Sequence, residues 1–206
     1  MFDARLRPLI DPPLNAAGTT LAKSGISANT ITITGFGLGL AAAVLIATGF
    51  SLLGCLFLLL NRLADGLDGA VARVNGKTDL GGYLDITLDF FFYGAIPFAF
   101  AVANPETNAL PAAALLLSFY ANGSAFLAFA IMAEKHGLET DKQGSKSLYY
   151  LGGLAEGAET IGLFVLMCLW PSGFAILAWA FAAICILSAS ARLLIAARTL
   201  RRTAVS

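Results

Sequence analysis

Four aspartates carry the chemistry that this sequence offers. Asp65 and Asp68 stand three residues apart, and Asp85 and Asp89 four apart, in stretches that are otherwise mostly apolar. On helices, each spacing places both carboxylates on one face. The segment between them, Val74 to Leu80, holds Asn75, Gly76 and Lys77, the punctuation of a short turn. Two antiparallel helices joined there bring the two pairs to matching depths, roughly 6–12 Å in from the turn at a rise of about 1.5 Å per residue. Four carboxylates at close quarters repel one another, and divalent cations relieve that repulsion. Oxygen donors without Cys or His favour Mg2+, Mn2+ or Ca2+. Two such ions sharing carboxylates make a site for a pyrophosphate and its displacement. Gly66, Gly69 and Ala72 leave one helix face nearly bare for a ligand, and Arg73 offers a planar fork suited to phosphate.

The elements that position these acids must cross a membrane. Of 206 residues, 58% are hydrophobic and 13% charged, against roughly 25% charged in soluble domains. Ser24 to Asn61 and Thr107 to Ala133 contain no Lys, Arg, Asp, Glu or His. Each is long enough to span a bilayer as a helix. A charge at the centre of such a helix costs about 2.5–3.5 kcal/mol on insertion scales, so the aspartates require partners and a function.

The fold expected is all-α: a polytopic membrane protein with six transmembrane helices. The spans run Ile31–Thr48, Leu52–Arg73, Gly82–Val102, Leu110–Met132, Leu148–Leu169 and Phe174–Leu194. The chain reads as one membrane domain over 1–206, with a lead-in at 1–29, the bundle at 30–195 and a tail at 196–206. Asp11-Pro12-Pro13 has the form of a helix start and Gly25 of a helix end, so the lead-in is either a short interfacial helix or a polar segment. No signal peptide is expected, because the first long apolar run begins after Lys23. Arg5, Arg7, Lys23, Arg73, Lys77, Lys135, Lys142, Lys146, Arg198, Arg201 and Arg202 fall on one side of this arrangement. Arg62 and Arg192 lie within spans, nearer that side. That side is cytoplasmic by the positive-inside rule, and both termini lie there.

Other features carry less. Cys55, Cys168 and Cys185 lie singly in apolar stretches and are read as inert packing residues. His136, the single histidine, lies in a polar loop, which argues against a histidine metal site. Zero net charge gives no reason to expect a nucleic-acid partner. Gly35-x3-Gly39 and Gly153-x3-Gly157 suit close helix packing. Gly35-x-Gly37 follows no strand, so it is not a dinucleotide fingerprint. Gly76-Lys77-Thr78 lacks the earlier glycine of a phosphate loop, since residue 71 is Val.

The stretch from Asp65 to Asp89 resembles the signature of the CDP-alcohol phosphotransferases: Asp-x2-Asp-Gly-x2-Ala-Arg, a spacer, then Gly-x3-Asp-x3-Asp. Asp65, Asp68, Gly69, Ala72, Arg73, Gly81, Asp85 and Asp89 fill all eight fixed positions. The spacer from Arg73 to Gly81 has seven residues, one fewer than is usual in the family, which implies a tighter turn. The resemblance implies a membrane enzyme of phospholipid biosynthesis with two ions, Mg2+ or Mn2+. It transfers a substituted phosphate from a CDP-linked donor, CDP-diacylglycerol first among candidates, to an alcohol, and it releases CMP. Asp65, Asp68 and Asp85 would bind metal, with Asp89 completing the second metal site and acting as base. Gly69, Ala72, Arg73 and Gly81 would hold the CDP group. A homodimer in the cell membrane is also implied, and the one-sided Lys and Arg distribution places the site open to the cytoplasm. Asn29-x-x-Thr32 resembles a pattern at the start of the family's first span and suggests a minor role near the nucleotide. Helix capping by Ser27 or Asn29 is the preferred reading there.

The acceptor is less legible. Glu156 and Glu159 lie well inside the fifth span. They either pair with Arg192 or another basic group, or they bind the acceptor, and the second reading is preferred. Lys146 and Arg192 join them as a candidate acceptor pocket. The stretch from Tyr149 to Thr160 does not resemble the glycerophosphate, serine or inositol subgroups. Two alternatives remain. An intramembrane prenyltransferase also uses aspartates and Mg2+, but with more spans and two separated acidic motifs. A small carboxylate-lined transporter predicts internal repeats, and the second half has no counterpart to the aspartate cluster.

Overall fold

In this computed structural model, backbone is described for residues 3–135 and 157–203, and side chains for 10–135 and 157–201. All regular elements among these residues are helical. They are α1 (Asp3–Lys23), α2 (Ala28–Ala47), α3 (Ser51–Asn75), α4 (Asp79–Ala103), α5 (Pro105–Lys135), α6 (Gly157–Leu169) and, after a 3-10 turn at Pro171–Gly173, α7 (Phe174–Thr203).

The helix ends follow local chemistry. Gly25 takes φ +81, and the Ile26 and Gly25 amides donate to Leu21 and Ala22 carbonyls at 3.2 and 3.0 Å. This closes α1 with a left-handed glycine cap. Ser27 Oγ accepts from the Thr30 amide at 3.1 Å and starts α2. Gly76, at φ +93, stops α3, and Thr78 Oγ1 accepts from the Gly81 amide at 3.1 Å to start α4. The turn between α3 and α4 is therefore only residues 76–78, as the short spacer requires.

Among the described residues, four stretches are long and apolar enough to cross a membrane: Ala28–Ala47, Asp79–Ala103, Pro105–Lys135 and Pro171–Arg201. The expected second span is α3, a 25-residue helix that carries Arg62, Asp65, Asp68 and Arg73. Of the expected fifth span, the 13 residues of α6 are described. Two boundaries differ most from expectation. The first helix begins at Asp3 rather than Asp11, with Pro8, Pro12 and Pro13 inside it. Its packing on α3 offsets the hydrogen bonds those prolines remove: Gly18 lies so close to α3 that an added Cβ would stand 2.5 Å from Ala70 Cβ. The last helix continues to Thr203, beyond Leu194.

Helix α2 packs between α3 and α4, α4 against α5, α5 against α7, and α1 on the C-terminal half of α3. Small residues set the α2 crossing. A Cβ on Gly35 would meet Ala64 Cβ at 2.8 Å, and one on Gly39 would meet the Phe92 ring at 2.7 Å. This is the close packing expected of that glycine pair. The core is aromatic-rich: Phe92, Phe164 and Phe174 are fully buried, Phe92 meets Phe164 edge-on at 6.3 Å and Phe100 stacks on Phe174 at 4.7 Å. Cys55, Cys168 and Cys185 are buried in it as free thiols. Leu52, Phe98, Leu110, Leu117, Ile176 and Leu187 are exposed around the bundle, the outward apolar surface that a bilayer covers.

Candidate active site

Asp65, Asp68, Asp85 and Asp89 line one cleft, together with Thr32, Gly35 and Phe36 of α2, Asn61 and Arg62 of α3, and Leu88 of α4. Three helices build it, and each contributes for a local reason. The i, i+3 and i, i+4 spacings point the acid pairs to one side of α3 and of α4. The close α2–α3 crossing at Gly35 brings Thr32 over Asp68. The Thr32 hydroxyl donates to Asp68 Oδ2 at 2.6 Å, and Asp68 is 6% exposed.

The organising group is one that sequence reasoning placed only as a charge within a span. Arg62 Nη2 donates to Asp89 Oδ1 at 2.9 Å, and Nη1 stands 3.8 Å from Asp65 Oδ2. Its Nε donates to Asn61 Oδ1 at 2.8 Å, and Asn61 Nδ2 donates to the Gly35 carbonyl at 2.8 Å. The guanidinium lies over the Phe92 ring, 4.4 Å from its centroid, and 5.6 Å from that of Tyr93. Four aspartates share this cleft with one arginine of its lining, so their negative charge exceeds what Arg62 alone can balance. The signal in the sequence was Arg62 three residues before Asp65, hence on the same face.

The donor set fits a hard divalent cation, being carboxylate and hydroxyl oxygen around one opening. As placed, no three carboxylates among the described residues stand close enough to form a metal cage. Asp89 is turned to Arg62 and Asp68 to Thr32.

The residues expected to hold CDP, Gly69, Ala72, Arg73 and Gly81, lie between the acids and the α3–α4 turn and are not among the residues lining this cleft. Arg73 is exposed and is held by α1: its Nη2 and Nε donate to Asn15 Oδ1 at 2.8 and 3.2 Å. A Cβ on Gly69 would meet only Arg73 Nη1, at 3.6 Å, so that face is open. Gly66 is different. Leu14 of α1 covers it, and a Cβ there would meet Leu14 Cδ1 at 2.7 Å. The bare face expected at Gly66 is thus a packing surface, because α1 docks there. Gly81 lies beside Asn29 and Thr78, whose side-chain oxygens would stand 3.1 Å from its Cβ.

Of the candidate acceptor residues, Lys146 and Glu156 lie outside the described residues. Glu159 lies in the first turn of α6, with a buried Oε2. Arg192 of α7 is 6% exposed, its guanidinium 5.6 Å from the Phe126 centroid. Neither lines the aspartate cleft.

A helical membrane bundle with this acidic cleft defines a class, and comparison names it. The family model for CDP-alcohol phosphatidyltransferase matches residues 26–196. The chain belongs to that family of membrane transferases of phospholipid biosynthesis. It is 49% identical over 185 residues to inner membrane protein YnjF of Escherichia coli, covering 90% of each chain. It is 37% identical over 102 residues to archaetidylinositol phosphate synthase of Pyrococcus horikoshii, covering 49% of this chain and 54% of that one. The fold is similar to that of Mycobacterium tuberculosis phosphatidylinositol phosphate synthase. Its structure with CDP-DAG bound superposes with a TM-score of 0.71 at 22% identity, over 89% of this chain and 92% of that one. Its complex with manganese and citrate gives 0.69, also at 22% identity, over 89% and 88%.

Proposed function

We propose that this enzyme transfers a phosphatidyl group from CDP-diacylglycerol to an alcohol, with divalent cations held by Asp65, Asp68, Asp85 and Asp89. The observation that carries the reading is the convergence of these four acids on one cleft. The CDP-DAG and manganese complexes of the mycobacterial fold relative support it. Two bound cations, Mg2+ or Mn2+, would neutralise the donor's diphosphate.

The chain's own residues do the rest. Arg73, Gly69, Ala72 and Gly81 hold the CDP group near the α3–α4 turn. Asp89 takes the acceptor hydroxyl proton on Oδ2, the oxygen that Arg62 leaves free. The acceptor oxygen bonds to the phosphorus bearing the lipid, the bond from that phosphorus to the CMP oxygen breaks, and CMP leaves. Phe36 and Leu88 line the cleft with the acids, apolar surface that limits water as a competing acceptor. The cleft opens to the cytoplasm, on the side that gathers Lys and Arg, and the enzyme works as a homodimer.

The acceptor is an alcohol that Glu159 and Arg192, with Glu156 and Lys146, help to select. The archaeal relatives named archaetidylinositol phosphate synthases make a phosphorylated inositol the first compound to test. Purified enzyme with CDP-diacylglycerol and Mn2+ should release CMP with at least one of a panel containing inositol phosphate, inositol, glycerol phosphate and serine. Failure with every alcohol, alongside transfer of a prenyl group from a prenyl diphosphate, would replace this reading.

A further inference from the structure

We propose that Arg62 is the resident counter-cation of the aspartate cleft, holding Asp89 and Asp65 in the metal-free protein and so weakening the site's hold on divalent ions. The inference rests on the reading of the four aspartates as metal ligands. It comes from how Arg62 is built in. Its side chain is 16% exposed, and a cation at this depth requires compensation. Both ends of its fork face carboxylates, at 2.9 Å to Asp89 and 3.8 Å to Asp65.

Three further groups fix its direction. Asn61, itself tied to the Gly35 carbonyl, takes Nε. Phe92 and Tyr93 lie against the guanidinium plane. Its donors therefore face the acids, not an open phosphate site. The arrangement links all three cleft helices: α2 through Gly35, α3 through Asn61 and Arg62, and α4 through Asp89.

Two consequences oppose each other. A fixed positive charge beside the ligands stabilises the metal-free bundle. The same charge repels an incoming divalent ion, occupies Asp89 Oδ1 through a hydrogen bond and draws on Asp65 Oδ2 as an ion pair. The balance sets affinity, so Arg62 keeps the ions exchangeable.

The test uses the full chain in detergent, with Mn2+ alone as the probe. Binding isotherms and melting temperatures are measured for wild type, Arg62→Met and Arg62→Lys. Arg62→Met should bind Mn2+ at least about tenfold more tightly than wild type, since a neighbouring like charge is gone. It should also melt lower without metal and gain more from Mn2+. Arg62→Lys, which keeps the charge, should stay within about threefold of wild type. If Arg62→Met folds only when Mn2+ is present throughout purification, the proposal stands; if Mn2+ does not rescue it, the proposal fails. Unchanged or weaker Mn2+ binding in folded Arg62→Met would overturn the counter-cation role. Loss of CDP binding with unchanged Mn2+ affinity would assign Arg62 to the donor instead. Wild type that binds no Mn2+ would remove the metal reading itself.

Discussion

Thr32 and Asp68, 36 residues apart in sequence, share a 2.6 Å hydrogen bond across the α2–α3 crossing. The hydroxyl fixes one oxygen of the most buried acid in the cleft and limits how its carboxylate can turn. Hydrogen bonds to charged groups are worth about 1.5–3 kcal/mol. Thr32→Val removes this one with little change in volume. The Mn2+ concentration for half-maximal CMP release should rise about tenfold, and Thr32→Ser should stay near wild type. Equal metal requirements in Thr32→Val and wild type would show that Asp68 needs no such guide.

Helix α1 should matter to donor binding. Asn15 of α1 holds the Arg73 guanidinium through two hydrogen bonds. Asn15→Ala leaves the charge in place but frees its direction. The donor KM should rise several-fold, by about 3 to 10 times, with kcat little changed. A fall in kcat at constant donor KM would contradict a role for Arg73 at the nucleotide.

The four aspartates were legible because helical periodicity alone fixes which residues share a face, and because charges in apolar spans are conspicuous. Arg62 was visible as a charge but not as an organiser. Its partners Asn61 and Gly35 depend on where α2 crosses α3, and no single-helix pattern states that. Thr32 was masked by a better local explanation: Ser27 does cap α2, as expected, yet Thr32 one turn further on reaches Asp68. Gly66 shows the converse. A glycine face is equally suited to a ligand and to a neighbouring helix, and only the docking of α1 through Leu14 decides. The end of α1 at Gly25 was readable from a local glycine, whereas its start was not, because packing on α3 keeps the prolines helical.

Asp89 should act in the chemical step more than in donor binding. Asp89→Asn should still bind a CDP compound with Mn2+, at somewhat lower affinity, while kcat for CMP release falls at least about a hundredfold, a typical loss for a general base. Turnover close to wild type would assign the proton to another group.

The orientation of the cleft can be read chemically at Lys77, in the turn between α3 and α4. With Cys55, Cys168 and Cys185 buried, a cysteine introduced as Lys77→Cys reports on that turn. An impermeant thiol reagent should label it in inverted vesicles and not in intact cells. Labelling from outside would reverse the topology.

The central claim is that the four aspartates form a metal-dependent transferase site, and one assay addresses it directly. CMP release from CDP-diacylglycerol is followed with the best acceptor in Mn2+, in excess chelator, and after Mn2+ is restored, for wild type and Asp68→Asn. The account predicts that chelator abolishes release in wild type, that restored Mn2+ recovers it, and that folded Asp68→Asn stays inactive throughout. Full release by wild type in chelator, or by Asp68→Asn in Mn2+, would contradict it.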